Sequence, residues 1–290
     1  MAAEASAAID VQQRPSLGPT FLRAMLVPGR AGPTGQLPDR TLRWVSGVDR
    51  GDLTAYQRLC GFKVNDRLPH TYPHLLSFRL QALLFADKAF PLPMAGVVHI
   101  SNEITARREL MVDDELTVEV SMRGFGEHRR GVTIDFLTKV SVAGDVAWES
   151  CSTYLHRTST KSSVVLENQT EEPPPLPQRE AAVWRLPADL GRQYAKVSGD
   201  VNPIHMSGLT AKLFGFPRAI AHGMCTYART LAALGDDVNG PGRSQVWFRK
   251  PVLLPASVAL RTSEDLRVAA LTGAKDPERV HLILQRSTLG

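Results

Sequence analysis

The sequence predicts an α+β protein built as two similar halves, each a central helix wrapped by a curved antiparallel sheet. Three observations carry this. Each half opens with one apolar segment at helical spacing. Each continues with several stretches in which apolar and polar residues alternate. A proline-rich stretch separates the two.

Residues 1–35 are rich in Ala, Gly, Pro and Gln without periodicity, and read as a mobile extension. In the first half, 36–158, Leu76, Leu80, Leu83 and Leu84 share one face of a helix over 76–85. Strands follow where Leu116, Val118, Val120 and Met122 alternate with polar residues, where Val132, Ile134 and Phe136 do so, and over 146–155. Residues 159–178 hold Glu171, Glu172, Pro173, Pro174, Pro175 and Pro177. Proline cannot join a sheet ladder and favours extended backbone, so this stretch reads as a linker. In the second half, 179–290, Leu190, Tyr194 and Val197 mark a short helix that Ser198 and Gly199 end. Met224, Tyr227, Ala228, Leu231 and Leu234 mark a longer one. Strands are expected at 246–248, 257–261, 266–270 and 280–284. The halves also align weakly as a repeat: Tyr56 and Gly61 precede Tyr194 and Gly199 by one constant offset, and Pro69, His74 and Leu83 precede Pro217, His222 and Leu231 by a slightly longer one.

Composition narrows the function classes. Hydrophobic residues at 43% and charged residues at 22% suit a globular chain, not a disordered or coiled-coil one. No apolar run approaches the roughly 18–20 residues of a membrane helix, and the first residues lack the basic start and apolar middle of a secretory signal. Three scattered cysteines (Cys60, Cys151, Cys225) give neither a disulfide framework nor a metal knuckle, so a reducing cytoplasm is expected. The net charge of +5 is spread out. Its densest spots, Arg107-Arg108 and Arg129-Arg130, read as solvated faces, and nucleic acid is not an expected partner.

The densest polar constellation runs from Tyr194 to His205 through Ser198, Gly199, Asp200, Asn202 and Pro203. Asn202-Pro203 makes a turn that lets Asp200 and His205 face one point. A carboxylate beside an imidazole is an acid/base pair: one polarises a water, the other exchanges a proton near neutral pH. The alternative is a capping aspartate and a surface histidine on a loop. Further on, His222 and Gly223 open the second long helix. First-turn N–H groups lack intrahelical partners and lie at the positive end of the helix dipole, and glycine admits a ligand close to the backbone. A thioester carbonyl there would find an oxyanion site; the alternative is an ordinary tight turn.

The stretch from Tyr194 to His205 resembles the hydratase-2 motif of the MaoC-like dehydratases, the (R)-specific enoyl-thioester hydratases and 3-hydroxyacyl-thioester dehydratases. Residues 211–217, 220–224 and 246–252 are similar to that family's next blocks. In the first half, 37–41, 68–73, 127–131 and 145–148 are similar to a two-domain subgroup found in mycobacteria and relatives. The resemblance implies a double hotdog fold and the reversible syn addition of water to a trans-2-enoyl thioester in fatty-acid metabolism, with no cofactor and no metal. It implies that Asp200 and His205 hold and activate water, that the Gly223 N–H polarises the carbonyl, and that Ser198, Asn202, Tyr194 and His222 support them. The substrate carrier would be coenzyme A or acyl carrier protein, met by Arg218, Arg249 and Lys250 as candidates, and a homodimer of such chains is a candidate assembly. The first half has Phe62, Arg67 and Leu75 where the second has Asp200, His205 and Gly223, so it is expected to be a degenerate hotdog that binds acyl groups without chemistry.

Rival readings remain. His70 and His74 form a conceivable metal pair with no third ligand near in sequence. Asp200, His205 and His222 form a two-histidine, one-carboxylate set. A hotdog thioesterase would direct water at the carbonyl carbon instead of the β-carbon. From another class, a non-catalytic subunit would bind acyl thioesters without turning them over.

Overall fold

The structure is a computed structural model that describes residues 8–20, 37–93, 97–158, 172–235 and 240–289. The first half runs β1 (Ile9–Asp10), β2 (Leu42–Ser46), α1 (Arg50–Cys60), α2 (Pro73–Phe85), β3 (Val97–Ala106), β4 (Leu116–His128), β5 (Gly131–Val142) and β6 (Asp145–Arg157). The second runs β7 (Arg179–Leu186), α3 (Leu190–Ser198), α4 (Pro203–Met206), α5 (Gly208–Lys212), α6 (Gly223–Ala233), β8 (Gly242–Phe248), β9 (Ala256–Thr262), β10 (Val268–Gly273) and β11 (Asp276–Ser287). Apart from β1, α4 and α5, the two halves repeat one order of elements.

All these strands form one sheet, in the order β1-β2-β4-β5-β6-β3-β8-β11-β10-β9-β7. Without β1 it reads the same from either edge inward. The seam is β3 against β8, antiparallel from Ser101 opposite Trp247 to Ala106 opposite Gly242. Arg243 on β8 clamps Glu103 on β3 with two hydrogen bonds of 2.9 and 3.0 Å. Pairing the two halves edge to edge removes one exposed strand edge from each. The architecture is the double hotdog.

The helices fill the concave side. α2 is apolar almost all round, which is the signature of a helix buried on every side. Pro73 starts it at a position where a missing N–H costs nothing. It packs against β2, β4 and β5, with Leu80 and Leu84 fully enclosed; truncating Leu80 to Ala would cost about 2–5 kcal/mol. α6 presents Met224, Tyr227, Ala228 and Leu231 to β10 and β11. It touches α1 across the halves, where Arg229 donates to the Leu59 carbonyl at 2.7 Å.

Several expectations need correction. α2 begins at Pro73 rather than at 76, because the buried His74 and Leu75 belong to its first turn. The strand expected from 266 starts at Val268, since Leu266 has φ 55° and lies in the preceding turn. α1, β2, β3 and β7 have no counterpart among the elements expected from the sequence. Residues 8–20, read as part of a mobile extension, are packed: β1 pairs in parallel with β2, Arg43 binds Asp10 at 2.7 Å, and Arg79 donates to the Pro15 carbonyl at 2.9 Å. Leu17 is buried beside Ala82. The rest of that extension, 1–7 and 21–35, lies outside the described residues, as does 159–171 of the linker. Residues 172–178 run without helix or strand. No helix among the described residues is long and apolar enough to cross a membrane.

Candidate active site

The site is assembled where α3 ends, α4 begins and α6 begins. Gly199 caps α3 in the left-handed region at φ 77°, a conformation glycine adopts at no steric cost. Ser198 Oγ donates to the Tyr194 carbonyl at 2.8 Å and accepts the Asp200 N–H at 3.1 Å, turning the chain. Asp200 Oδ1 then accepts the Asn202 N–H at 3.1 Å, and Asn202 Oδ1 accepts the Ile204 N–H at 3.3 Å, capping α4 with Pro203 at its first position. These two Asx turns bring His205 back over Asp200. Gly191 lets α3 lie directly on α4, since a Cβ there would stand 2.2 Å from the His205 carbonyl oxygen.

The third piece is a strap at 219–222. It is bonded to α4 through the Ile220 N–H and the Ile204 carbonyl (3.1 Å), and to the β8–β9 connection through the Ala221 N–H and the Val252 carbonyl (3.0 Å). It ends at His222, the residue before α6. The His222 and His205 rings stack at 3.6 Å with 25° between planes, and Tyr194 packs on His222 at 4.9 Å.

Hydrogen bonding assigns the tautomers. His205 Nδ1 lies 2.8 Å from the Ile220 carbonyl oxygen. A carbonyl can only accept, so Nδ1 carries the proton and, in the neutral ring, Nε2 keeps a lone pair. His222 Nε2 donates to the Asp200 carbonyl at 3.0 Å and lies 3.5 Å from Asp200 Oδ2. Burial, and then the neighbouring His222, push the His205 pKa down to about 3, while Asp200 pulls the other way. Burial lowers His222 to about 4. Burial raises the Asp200 carboxyl, opposed by His205 and by the Asn202 N–H. Near neutral pH His205 is therefore an uncharged base.

Donor atoms of Asp200, His205 and His222 lie within 4.8 Å of one another. This is the one such group of metal-ligating side chains among the described residues. A metal drawing on His222 Nε2 would have to replace its bond to the Asp200 carbonyl.

Gly223 is the first residue of α6, so its N–H has no intrahelical partner. A Cβ there would stand 3.0–3.2 Å from the Phe248 ring. Gly223, Asp200, His205 and Asn202 all line one cavity of about 1060 Å³ that lies between the two halves. Tyr194, Ser198 and His222 line it as well. Of the basic candidates, Arg249 and Lys250 line the cavity. Arg218 is not among the lining residues; it is exposed and reaches the Pro255 carbonyl at 3.4 Å.

Sequence reasoning expected the first half to bind acyl groups but did not name the residues it brings to the cavity. His74, His99 and Tyr154 face the same cavity, as do Arg129, Arg130 and Arg157. Arg129 and Arg130, read as a solvated face, sit in the β4–β5 turn that reaches the cavity. The signal available for His74 was its alignment with His222.

The MaoC like domain profile matches residues 167–268. The 3-hydroxyacyl-thioester dehydratase X of Mycobacterium tuberculosis is 40% identical over 232 residues, covering 80% of this chain and 82% of that protein. The chain belongs to the MaoC-like dehydratase family. A crystal structure of HtdX from Mycobacterium tuberculosis superposes with TM-score 0.75 at 35% identity, covering 86% of this chain and 100% of that one. A MaoC-like dehydratase from Phytophthora capsici shares the fold at 18% identity, with TM-score 0.70 over 87% of this chain and 96% of that one.

Proposed function

We propose that this MaoC-like protein is an (R)-specific 3-hydroxyacyl-thioester dehydratase, catalysing the reversible syn addition of water to a trans-2-enoyl thioester in fatty-acid metabolism. The observation that carries this is one cavity holding the unprotonated Nε2 of His205, the Asp200 carboxylate and the N-terminus of α6. The named activity of its mycobacterial relative agrees.

In this reading water sits between Asp200 and His205. The pair takes a proton as oxygen bonds to the β-carbon and supplies one to the α-carbon on the same face. They are close enough to titrate as a coupled unit. The thioester carbonyl lies at the Gly223 N–H, where charge develops as the enolate forms. Ser198 and Asn202 hold the turn, and Tyr194 and His222 back the imidazole. Among the basic lining residues, Arg249 and Lys250 are joined by Arg129, Arg130 and Arg157 to meet the phosphates of a coenzyme A or carrier-protein thioester. The first half, 36–158, serves as a degenerate hotdog that completes the sheet and the acyl pocket, with 179–290 as the catalytic half. Three free cysteines fit a reducing, cytoplasmic setting, and a second copy of the chain is a candidate partner.

The test is turnover of enoyl-CoA esters of graded length with a chiral product assay. (R)-3-hydroxyacyl-CoA is the expected product. Release of free thiol would support a thioesterase instead, and saturable binding without turnover a non-catalytic subunit. Loss of activity with a chelator and its return with metal would move the chemistry to a metal held by Asp200, His205 and His222.

A further inference from the structure

The turn that carries Asp200 is backed from outside its own half. Asp200 lines the cavity, but its two neighbours, Gly199 and Val201, do not. They meet residues far off in the sequence. A Cβ on Gly199 would stand 2.8 Å from Leu17 Cδ1 and 3.2 Å from Arg79 Nη2. Val201 packs against Leu17 and Ala82, as does Phe78. Leu17 lies in the segment between β1 and β2, and Phe78, Arg79 and Ala82 belong to α2, the central helix of the first half.

The segment is anchored on either side of this contact. Upstream, β1 pairs with the edge of β2. Arg79 Nη1 donates to the Pro15 carbonyl at 2.9 Å, which ties the segment to α2. Arg14 pairs with Asp52 of α1 at 3.0 Å, at the surface, where such a pair adds little. Pro15 is buried, and Leu17, only 3% exposed, fills the space between α2 and the turn.

The turn has need of such a support. Residues 199–202 form no helix or strand. Their hydrogen bonds through Ser198 Oγ, Asp200 Oδ1 and Asn202 Oδ1 are local and fix the shape of the turn. On the cavity side, the Asp200 carbonyl accepts from His222 Nε2. On the other side, the turn is held by packing on Leu17, Arg79 and Ala82. A gap opened there would let the turn settle away from the cavity, because packed interiors relax toward a void only in part but do shift.

We propose that Leu17 and Arg79 are positioning residues for Asp200: the segment before β2 and the central helix of the half without chemistry press the catalytic turn of the other half toward its water site. This rests on the reading of the chain as an enoyl-thioester hydratase. In that reading the thioester is held by the Gly223 N–H and the cavity wall, not by Asp200, so a slackened turn costs kcat and leaves KM.

The experiment measures kcat and KM for crotonyl-CoA, together with melting, in Leu17→Ala, Val201→Ala, the double variant, Leu17→Met, Arg79→Met and Val118→Ala. Val118 is fully buried on β4 and does not line the cavity, so its truncation reports a loss of stability alone. Leu17→Ala, Val201→Ala and Arg79→Met should each lower kcat by about five- to tenfold with KM nearly unchanged, a part of the hundredfold that a full ångström of misplacement can bring. The double variant should lose less than the product of the two single losses, since both act through one contact. Leu17→Met, which conserves volume, should keep a nearly wild-type kcat. Val118→Ala should melt earlier at an unchanged kcat. A wild-type kcat in Leu17→Ala or in Arg79→Met overturns the assignment of that residue. A rise in KM at constant kcat overturns the proposal by placing these residues in binding, and losses that simply multiply overturn it by separating Leu17 from Val201. An equal fall of kcat in Val118→Ala also overturns it, by making the effect one of stability. Failure of the wild-type chain to hydrate any enoyl ester, crotonyl-CoA included, would sink the underlying hydratase reading and this proposal with it.

Discussion

The two halves deliver the same local geometry and use it differently. α1 and α3 both end on a left-handed glycine, Gly61 at φ 84° and Gly199 at φ 77°, and the chain then crosses to the central helix. In the second half that crossing carries two Asx turns, α4 and α5, and places Asp200, His205 and Gly223 in the cavity. In the first half Phe62 is buried and stacks on Tyr56 at 6.2 Å. Arg67 turns outward to an ion pair of 3.0 Å with Glu109 and bridges to Met111. Leu75 stands at the position aligned with Gly223 as a core residue. The histidine before that place is kept: His74 answers His222, and both are buried with an unpartnered Nδ1. The fold supplies a cradle in each half, and the two differ both in the side chains at three positions and in the path of the crossing that carries them.

The comparison breaks most sharply at the second cradle. Asp200→Asn and His205→Ala should each lower crotonyl-CoA hydration by at least about a hundredfold, the low end for loss of a general acid or base. Circular dichroism and melting should show an intact fold. Near-wild-type turnover in either variant would remove that residue from the proposed pair.

A smaller effect is expected at Gly223. The Cβ added by Gly223→Ala would press on the Phe248 ring at 3.0–3.2 Å, tighter than ordinary contact. The ring or the first turn of α6 must shift by a few tenths of an ångström, which misaligns the N–H that would face the carbonyl. A fall in kcat of about tenfold is expected, milder than the hundredfold loss a full ångström of misplacement can bring. An unchanged kcat would place the carbonyl elsewhere.

What the sequence made legible depended on the physical signal each element needed. The resemblance of 194–205 and 220–224 led to the cradle because its turn chemistry is local: Asn202-Pro203 and Gly199 act within a few residues. The central helices α2 and α6 and strands such as β4, β5 and β11 were legible from period alone. β3 was not, because its buried Ser101 and Asn102 put polar side chains where a period of two expects apolar ones. α1 has Asp49 as a capping residue and Gly61 as a stop, yet few apolar residues to mark its face. β1 was invisible because two residues in a Gly/Pro/Ala-rich stretch carry no period, and only Arg43 and the β2 edge give them a place. The cavity wall from the first half was unreadable for the same reason: nothing local joins His99 to Phe248.

Acid lability should not distinguish the halves, which sharpens the contrast in chemistry. Burial holds His70 and His74 in the first half at about 4, and His205 and His222 in the second at about 3 and 4. A depressed histidine pKa means the unfolded chain takes up a proton that the folded one refuses. This stability is complete above about pH 6.5 and is lost as pH falls toward the folded values, at up to about 1.4 kcal/mol per histidine per pH unit. Asp200 works in the opposite direction, since a raised carboxyl binds its proton more tightly when folded, but it is one group against these four histidines and His99, which burial also lowers. The melting temperature should drop steeply from about pH 6.5 to about pH 4.5 in a single transition. A flat profile would mean that the histidines are hydrated.

The smallest expected effect is a null one. Phe62→Asp with Arg67→His rebuilds two of the three missing groups in the first half, and placed in an Asp200→Asn chain it should restore no turnover. The Leu75 side chain stands, buried in the core, at the position aligned with Gly223, the residue proposed to polarise the carbonyl. The Arg67 segment is pinned at the surface by its bridge to Met111, so an imidazole there would not face the new carboxylate across a water. The cost falls on stability instead: removing the buried Phe62 ring costs about 3–5 kcal/mol, which a lowered melting temperature would report. Recovered hydration in this chain would show that residue identity alone, and not the path of the crossing, separates the two cradles.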